Sequence, residues 1–498
     1  MSLYRRFFIE TTVFCCGAVV MIYEIVGSRI LAPFVGTSTY TWTSLIGVIL
    51  AALSLGYWLG GKRADRGPTN VGLAAVVFGA AILITITILI QEFVLTFLAA
   101  LRLPLEISAT IAALLLFAPA AVMLGVVSPY AVRLSAMNLE TTGQTVGRLY
   151  ALSTVGSIGG TFLAGFVMLP FVGSIRTLYV LAAVLFAISL ASLPTLAEKT
   201  KAGALTLLVI SVVFVEGRAI LLRNIAGLVD IDTGYNRLRV FDTTKNGRPI
   251  RALSTDPLTW QTSMYLDDYS AGSTYSKFFH LARGFRPGFQ KVLLIGGAGY
   301  SVPKEFRQRY PNAELDVVEI DPGMTEVAKK YFRLTADAKI RIAHQDGRIY
   351  LNNARADTYD LVILDAFNSL FSVPFHLTTI ESAKNARRVL KPNGLLLVNI
   401  GSAVDGEGGK MFRAEAATLS EVFKNLRVFF VDKSKPRTST QNIIIAASES
   451  GLGRFAGDAE TDILLKNEIA IPSNLEPVLT DDLAPVERYA NLAARHFE

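Results

Sequence analysis

Long apolar runs separated by short basic loops fill the first 200 residues of the chain, and they limit its fold more than anything that follows. Spans are read near 7–27, 42–61, 71–91, 107–132, 146–169 and 175–194, each long enough to cross about 30 Å of hydrocarbon as a helix. Only 18% of the 498 residues are charged, and they are sparse before about Lys199. The expectation is a polytopic α-helical membrane domain followed by a soluble one. The run Gly203 to Val215 is marginal in length and is cut by Glu216 and Arg218, so a seventh span and an interfacial helix both stay open. Arg5 and Arg6 precede the first apolar segment as they would in a secretory leader. The segment lacks a small-residue cleavage pattern and is followed by further apolar segments, which favours a first spanning helix.

Basic residues at Arg5 and Arg6, at Lys62, Arg63 and Arg66, at Arg133 and Arg148, and at Lys199 and Lys201 alternate with poorly charged loops. That alternation puts the N-terminus inside, and six spans then leave the soluble half in the cytoplasm of a multi-pass inner-membrane protein. An extra crossing at Phe93 to Leu105 would restore the same side if the seventh run also crossed. Gly56 and Gly60, and Gly156 and Gly160, have the four-residue spacing that lets helix backbones approach closely. Glu24 and Arg29 lie within an apolar segment, where charge is costly and faces a partner or a cavity. The formal net charge of +7, without an arginine-rich stripe interleaved with aromatics, speaks against nucleic acid and suits an anionic lipid surface. Two adjacent cysteines, Cys15 and Cys16, offer neither a disulfide framework nor metal-ligand spacing.

The soluble half is organised around KVLLIGGAG at 291–299. Lys291 to Ile295 read as a buried strand, Gly296, Gly297 and Gly299 as a turn that lets a ligand approach the backbone, and Val302 to Tyr310 as a helix. About 20 residues on, a second strand ends in Glu319, where nucleotide folds place an acid against ribose hydroxyls. Further strands near 340–344, 359–365, 395–400, 427–431 and 441–447 alternate with helical segments, the pattern of a mostly parallel α/β sheet covered on both faces. The last two are placed to close its edge as an antiparallel hairpin. Short strands and an Asn246-Gly247 turn precede all of this. The domains are therefore 1–224, membrane; 225–284, a β-hairpin subdomain with a linking helix; and 285–498, a nucleoside-binding α/β domain.

The runs GGAG, VVEID at 317–321, QDG at 345–347 and YDLVILDAF at 359–367 together resemble the spermidine synthases, the polyamine aminopropyltransferase family. The whole chain resembles the bacterial fused type, in which a major-facilitator-like membrane half precedes a spermidine synthase-like domain. GYWLGGKRADRG is similar to the short cytoplasmic loop of those transporters. The resemblance implies a β-hairpin region before a methyltransferase-like sheet. It implies aminopropyl transfer from decarboxylated S-adenosylmethionine, a co-substrate and not a tightly bound cofactor, to a diamine such as putrescine, giving spermidine and methylthioadenosine. It makes Asp365 the catalytic aspartate and Tyr275 a catalytic and substrate-binding tyrosine. Gly296, Gly297, Gly299, Glu319, Asp346, Gly347 and Asn236 fall to the nucleoside, and Tyr235, Asn368, Asp481 and Asp482 to the amine. No metal enters, and a homodimer stays open.

The chain also departs from that pattern. Gly299 stands where the family has an aspartate for the co-substrate's amine, Asn368 where it has a second aspartate, and Lys277 where it has a glutamate. Two other readings therefore stand beside the first: an S-adenosylmethionine-dependent methyltransferase on the same kind of sheet, and a transporter or sensor whose soluble domain binds polyamine or nucleoside without turnover. An acid at a strand end can also simply cap the next helix.

Overall fold

A computed structural model describes residues 3–101, 103–136, 142–192, 198–256, 259–366, 373–453 and 459–495. The chain divides into two compact units, Met1–Ile225 and Ala226–Glu498.

The first unit is helical: α1 (Leu3–Val35), α2 (Thr39–Ala64), α3 (Asn70–Ala100), α4 (Leu105–Leu116), α5 (Ala118–Ser135), α6 (Thr142–Leu163, continuing as a π-helix over Ala164–Val172), α7 (Ser174–Ser192) and α8 (Glu198–Ala226). Seven of these are long and apolar enough to cross a membrane. The span expected at 107–132 is built from two pieces, α4 and α5, broken at Phe117. Phe93 does not begin a separate crossing, because α3 runs through it to Ala100. The marginal run lies inside α8, whose Leu205–Asn224 stretch meets the length and hydropathy of a span. Its two interrupting charges are paired, Glu216 with Arg176 at 3.4 Å and Arg218 with Glu92 at 3.0 Å.

The glycine pairs explain how these helices approach. A Cβ on Gly56 would lie 2.3 Å from the Val122 carbonyl oxygen of α5, and one on Gly156 would lie 2.1 Å from that of Phe14 in α1. Backbone touches backbone at both places, so any side chain would force the helices apart.

The second unit opens with an antiparallel sheet in the order β1 (Val229–Asp232), β2 (Arg237–Lys245), β3 (Arg248–Ser254) and β4 (Thr262–Tyr265). Asn246 and Gly247, with φ of 52° and 77°, turn β2 into β3, as a two-residue hairpin requires. A short α9 (Leu281–Phe285) leads into β5 (Lys291–Ile295), α10 (Ser301–Arg309), β6 (Glu314–Val318), α11 (Pro322–Tyr331), β7 (Ile340–Ala343), α12 (Gly347–Asn353), β8 (Tyr359–Leu364), α13 (Ile380–Val389), β9 (Leu390–Ser402) and α14 (Lys410–Ser420). The chain closes with β10 (Asn425–Phe430), β11 (Gln441–Ser448), α15 (Ala459–Leu465), β12 (Glu468–Ile469) and α16 (Val486–Ala494).

These strands form one eight-stranded sheet in the order β12-β10-β11-β9-β8-β5-β6-β7. Strands β9, β8, β5, β6 and β7 run parallel, and β11, β10 and β12 add antiparallel pairs. The expected closing hairpin forms with β11 inside, and the two-residue β12 takes the edge instead. Both faces are covered, one around Leu293, Val362 and Phe412, the other around Leu294, Phe279 and Phe306, which is why the parallel strands read as continuous apolar runs.

Glu415 is the exception in this core. Burial pushes its carboxyl up to about 8, and its Oε2 has no hydrogen-bond partner among the described residues. A folded-state value above the ordinary 4.5 means that its stabilising protonation is complete below pH 4.5 and lost as pH rises through 8. Glu415→Gln removes this titration. Between pH 5 and 8.5 the stability difference should move in the variant's favour by on the order of 3–4 kcal/mol. A constant difference across that range in denaturant unfolding would contradict a buried, protonated Glu415.

Candidate active site

The carboxyl ends of the parallel strands β5, β6 and β8 face the four-stranded sheet, and the groups that carry chemistry meet there. After β5 the chain turns through Gly296 at φ 104°, Ala298 at 43° and Tyr300 at 55°. A Cβ on Gly296 would lie 2.1 Å from the carbonyl oxygen of Asp365, so only glycine lets β5 and β8 release their chains side by side. Glu319, buried at the end of β6, holds the turn. Its Oε2 accepts the amides of Gly297 at 2.9 Å and Ala298 at 3.1 Å, and its Oε1 accepts the amide of Asp321 at 3.0 Å. Burial pushes its carboxyl up, against the pull of those three bonds.

Asp365, just past β8, is the centre of the site. Asn399 Nδ2 donates to its Oδ1 at 2.8 Å and the Tyr275 hydroxyl to its Oδ2 at 3.2 Å, while Asn442 Nδ2 donates to Asn399 Oδ1 at 3.0 Å. Burial pushes the Asp365 carboxyl up to about 6, and the bonds from Asn399 and Tyr275 pull it down. Burial and the Asp365 charge hold the Tyr275 phenol well above its usual value, so it stays a donor. Both residues border a cleft of about 410 Å³ that Ala298, Trp260, Gln261 and Lys245 also line. Such an arrangement gives a carboxylate of raised basicity at the wall of a small-molecule cavity, still ionised at neutral pH and so able to take a proton.

The other expected residues are distributed differently. Asp346 caps α12, its Oδ1 accepting the amides of Arg348 at 2.8 Å and Ile349 at 3.0 Å, and its Oδ2 meets His376 Nε2 at 3.0 Å. Gly347 lies tight against Ile295. Asn236 donates to Asp321 at 3.3 Å, beside Thr233 at 2.6 Å, and so ties the two sheets together. Tyr235 is 48% exposed and does not line the cleft. Asp481 and Asp482, expected at the amine, lie away from the cleft. The Asp481 carboxylate is held by Arg348 at 2.7 Å and Thr379 at 2.6 Å, Asp482 is exposed, and neither reaches the cleft. Asn368 lies outside the described residues. A side chain at Gly299 would meet Thr262 Cγ2 at 2.4 Å and the ring of Phe332 at 3.2 Å, so the carboxylate expected from the resemblance has no room there.

Sequence reasoning missed Asn399, Asn442 and Lys245. A lone amide inside the apolar run LLLVNIG was the available sign for Asn399, since a polar group in a buried strand needs a partner. Among the described residues no group of three or more His, Cys, Asp or Glu could hold a metal ion.

Comparison with known proteins agrees with this geometry: the family defined by the spermine/spermidine synthase domain matches residues 274–446. The matched residues all lie within the second unit. The chain is 32% identical over 164 residues to a polyamine aminopropyltransferase of Vibrio vulnificus, covering 32% of this chain and 52% of that protein. It is 26% identical over 277 residues to a probable polyamine aminopropyl transferase of Bifidobacterium longum, covering 51% and 60%. The chain thus spans between about half and three-fifths of the length of these relatives. A solved structure of a probable spermidine synthase from Corynebacterium glutamicum, 21% identical, aligns over 49% of this chain and 86% of that one with a TM-score of 0.41.

Within the second unit, the bond from Asn399 holds the Asp365 carboxyl below where burial alone would put it. Asn399→Ala should therefore raise its titration midpoint above about 6, as read from the carboxyl stretch in infrared difference spectra. An unmoved or lowered midpoint would show that Asn399 does not donate to Asp365.

Proposed function

We propose that the synthase domain transfers an aminopropyl group from decarboxylated S-adenosylmethionine to an amine, with Asp365 as the base. The observation that carries this is the Asp365 carboxyl, pushed up to about 6 beside Tyr275 and opening on a cleft that adjoins the glycine turn. The attacking amine nitrogen forms a C–N bond to the aminopropyl carbon as the C–S bond breaks. Methylthioadenosine leaves with the electron pair, and the proton of the attacking amine passes to Asp365. The sulfonium is already a good leaving group, so the protein's task is to hold both reactants in line and keep the amine neutral. Gly296 and Gly297 let the nucleoside approach the backbone, Glu319 meets the ribose and steadies the turn, and Asp346 and Gly347 border the adenine. The putrescine acceptor implied by the resemblance is the first amine to compare.

The base must be a carboxylate to accept the proton, so turnover falls as pH drops through about 6. Asp365→Asn should cost on the order of 10²–10⁴ in kcat while leaving methylthioadenosine binding nearly intact, because the acid stands beside the acceptor. Wild-type turnover in that variant would remove Asp365 from the mechanism.

We also infer that the helical unit anchors the enzyme in the inner membrane with the synthase domain in the cytoplasm, where both co-substrates are made. Six crossings, with α8 lying at the interface, satisfy this together with the basic loops on the N-terminal side. A crossing by α8, whose Leu205–Asn224 stretch is long enough, would put the domain on the other face. Reporter fusions after Asn224 should read cytoplasmic, and a periplasmic signal there would overturn the placement.

A further inference from the structure

The charge lining the cleft does not suit a dication. Among the described residues that border it, Asp365 is the only acid and Lys245 the only lysine or arginine. Asp365 stands where the proton is to be taken, so a second ammonium on the acceptor finds no carboxylate. The acids nearby are engaged elsewhere: Asp256 accepts from the Thr259 amide at 2.7 Å and hydroxyl at 2.6 Å, and Asp267 and Asp268 hold Arg248.

Lys245, the last residue of β2, donates to the Gly272 carbonyl oxygen at 2.7 Å, which uses one of its three hydrogens and leaves two for a ligand. Burial and the neighbouring charge of Lys277 both lower its pKa, the signature of an ammonium that lacks a counter-anion. Gln261, Gln441 and Asn442 add neutral donors to the same lining, and Trp260 offers an apolar wall for a methylene chain.

We propose that Lys245 determines acceptor specificity, and that the amine accepted here carries a carboxylate at its far end in place of a second ammonium. This rests on the aminopropyl-transfer reading and refines it. Asp365 takes the amine end and Lys245 the carboxylate end, in a charge-assisted hydrogen bond. The reaction is otherwise unchanged, with C–N forming, C–S breaking and one proton passing to Asp365.

The test uses the full chain in detergent, decarboxylated S-adenosylmethionine, and two acceptors of matched length, 4-aminobutyrate and putrescine, with methylthioadenosine release as the readout. The expected result is a kcat/KM for 4-aminobutyrate higher by roughly tenfold or more, the factor that one bond to a charged group supplies. Lys245→Glu should reverse the order, and Lys245→Met should abolish the preference. Unchanged methylthioadenosine affinity in both variants guards against misfolding.

Release that is faster with putrescine in the wild type, or an order of preference that Lys245→Glu leaves alone, overturns the proposal while leaving aminopropyl transfer intact. No release with either acceptor or with any other amine sinks the transfer reading itself. The decarboxylated co-substrate has no carboxylate, so a Lys245-dependent preference for 4-aminobutyrate belongs to the acceptor. If Lys245 instead strengthens only the binding of intact S-adenosylmethionine and the acceptors do not differ, the lysine serves the co-substrate and the proposal falls.

Discussion

The site depends on a half-buried carboxylate at the wall of a cleft, bonded only by neutral donors. Asp365 sits at the end of a parallel strand with an amide on one oxygen and a phenol on the other, and neither partner carries a charge that would pin it as an anion. An arginine in place of Asn399 would drive the carboxyl far down and make a permanent ion pair. The amide leaves it near 6, mostly ionised at the pH of a cell yet basic enough to accept a proton. Everything around it keeps that balance: Asn442 orients Asn399, and Gly296 lets the Asp365 carbonyl pass close to the neighbouring turn. Glu319 clamps the turn from the other side.

Much of this arrangement is legible in the amino-acid sequence. Glycines after a buried strand and acids at successive strand ends are signals tied to what a parallel sheet needs at its carboxyl edge, and β5, β6 and β8 place them there. Less legible is which acids spend their oxygens on the protein itself. Asp346 and Asp365 look alike in sequence, each following a strand, yet Asp346 gives one oxygen to the first amides of α12 while Asp365 accepts from Asn399 and Tyr275. Asp481 depends on a contact 133 residues away with Arg348, which no local pattern reveals. Lys245 is hidden in the same way, because a lysine before an Asn-Gly turn is an ordinary hairpin residue until the fold sets it at a cleft.

In the helical unit the legible part is local and backbone-driven. Glycine spacing announces where α2 meets α5 and where α1 meets α6, since only glycine permits carbonyl oxygens that close. The break at Phe117 and the full length of α8 are not visible in hydropathy alone. A hydropathy window joins two helices across a single residue, and it stops at charges such as Glu216 and Arg218 that the fold neutralises with Arg176 and Glu92.

The central claim is that the cleft beside Asp365 moves an aminopropyl group and not a methyl group. Incubating the purified full chain with an amine mixture and either decarboxylated or intact S-adenosylmethionine, and identifying the nucleoside product by mass spectrometry, separates the two chemistries directly. Methylthioadenosine is expected from the decarboxylated co-substrate and no S-adenosylhomocysteine from the intact one. S-adenosylhomocysteine from the intact co-substrate, with no methylthioadenosine from the other, would contradict the claim.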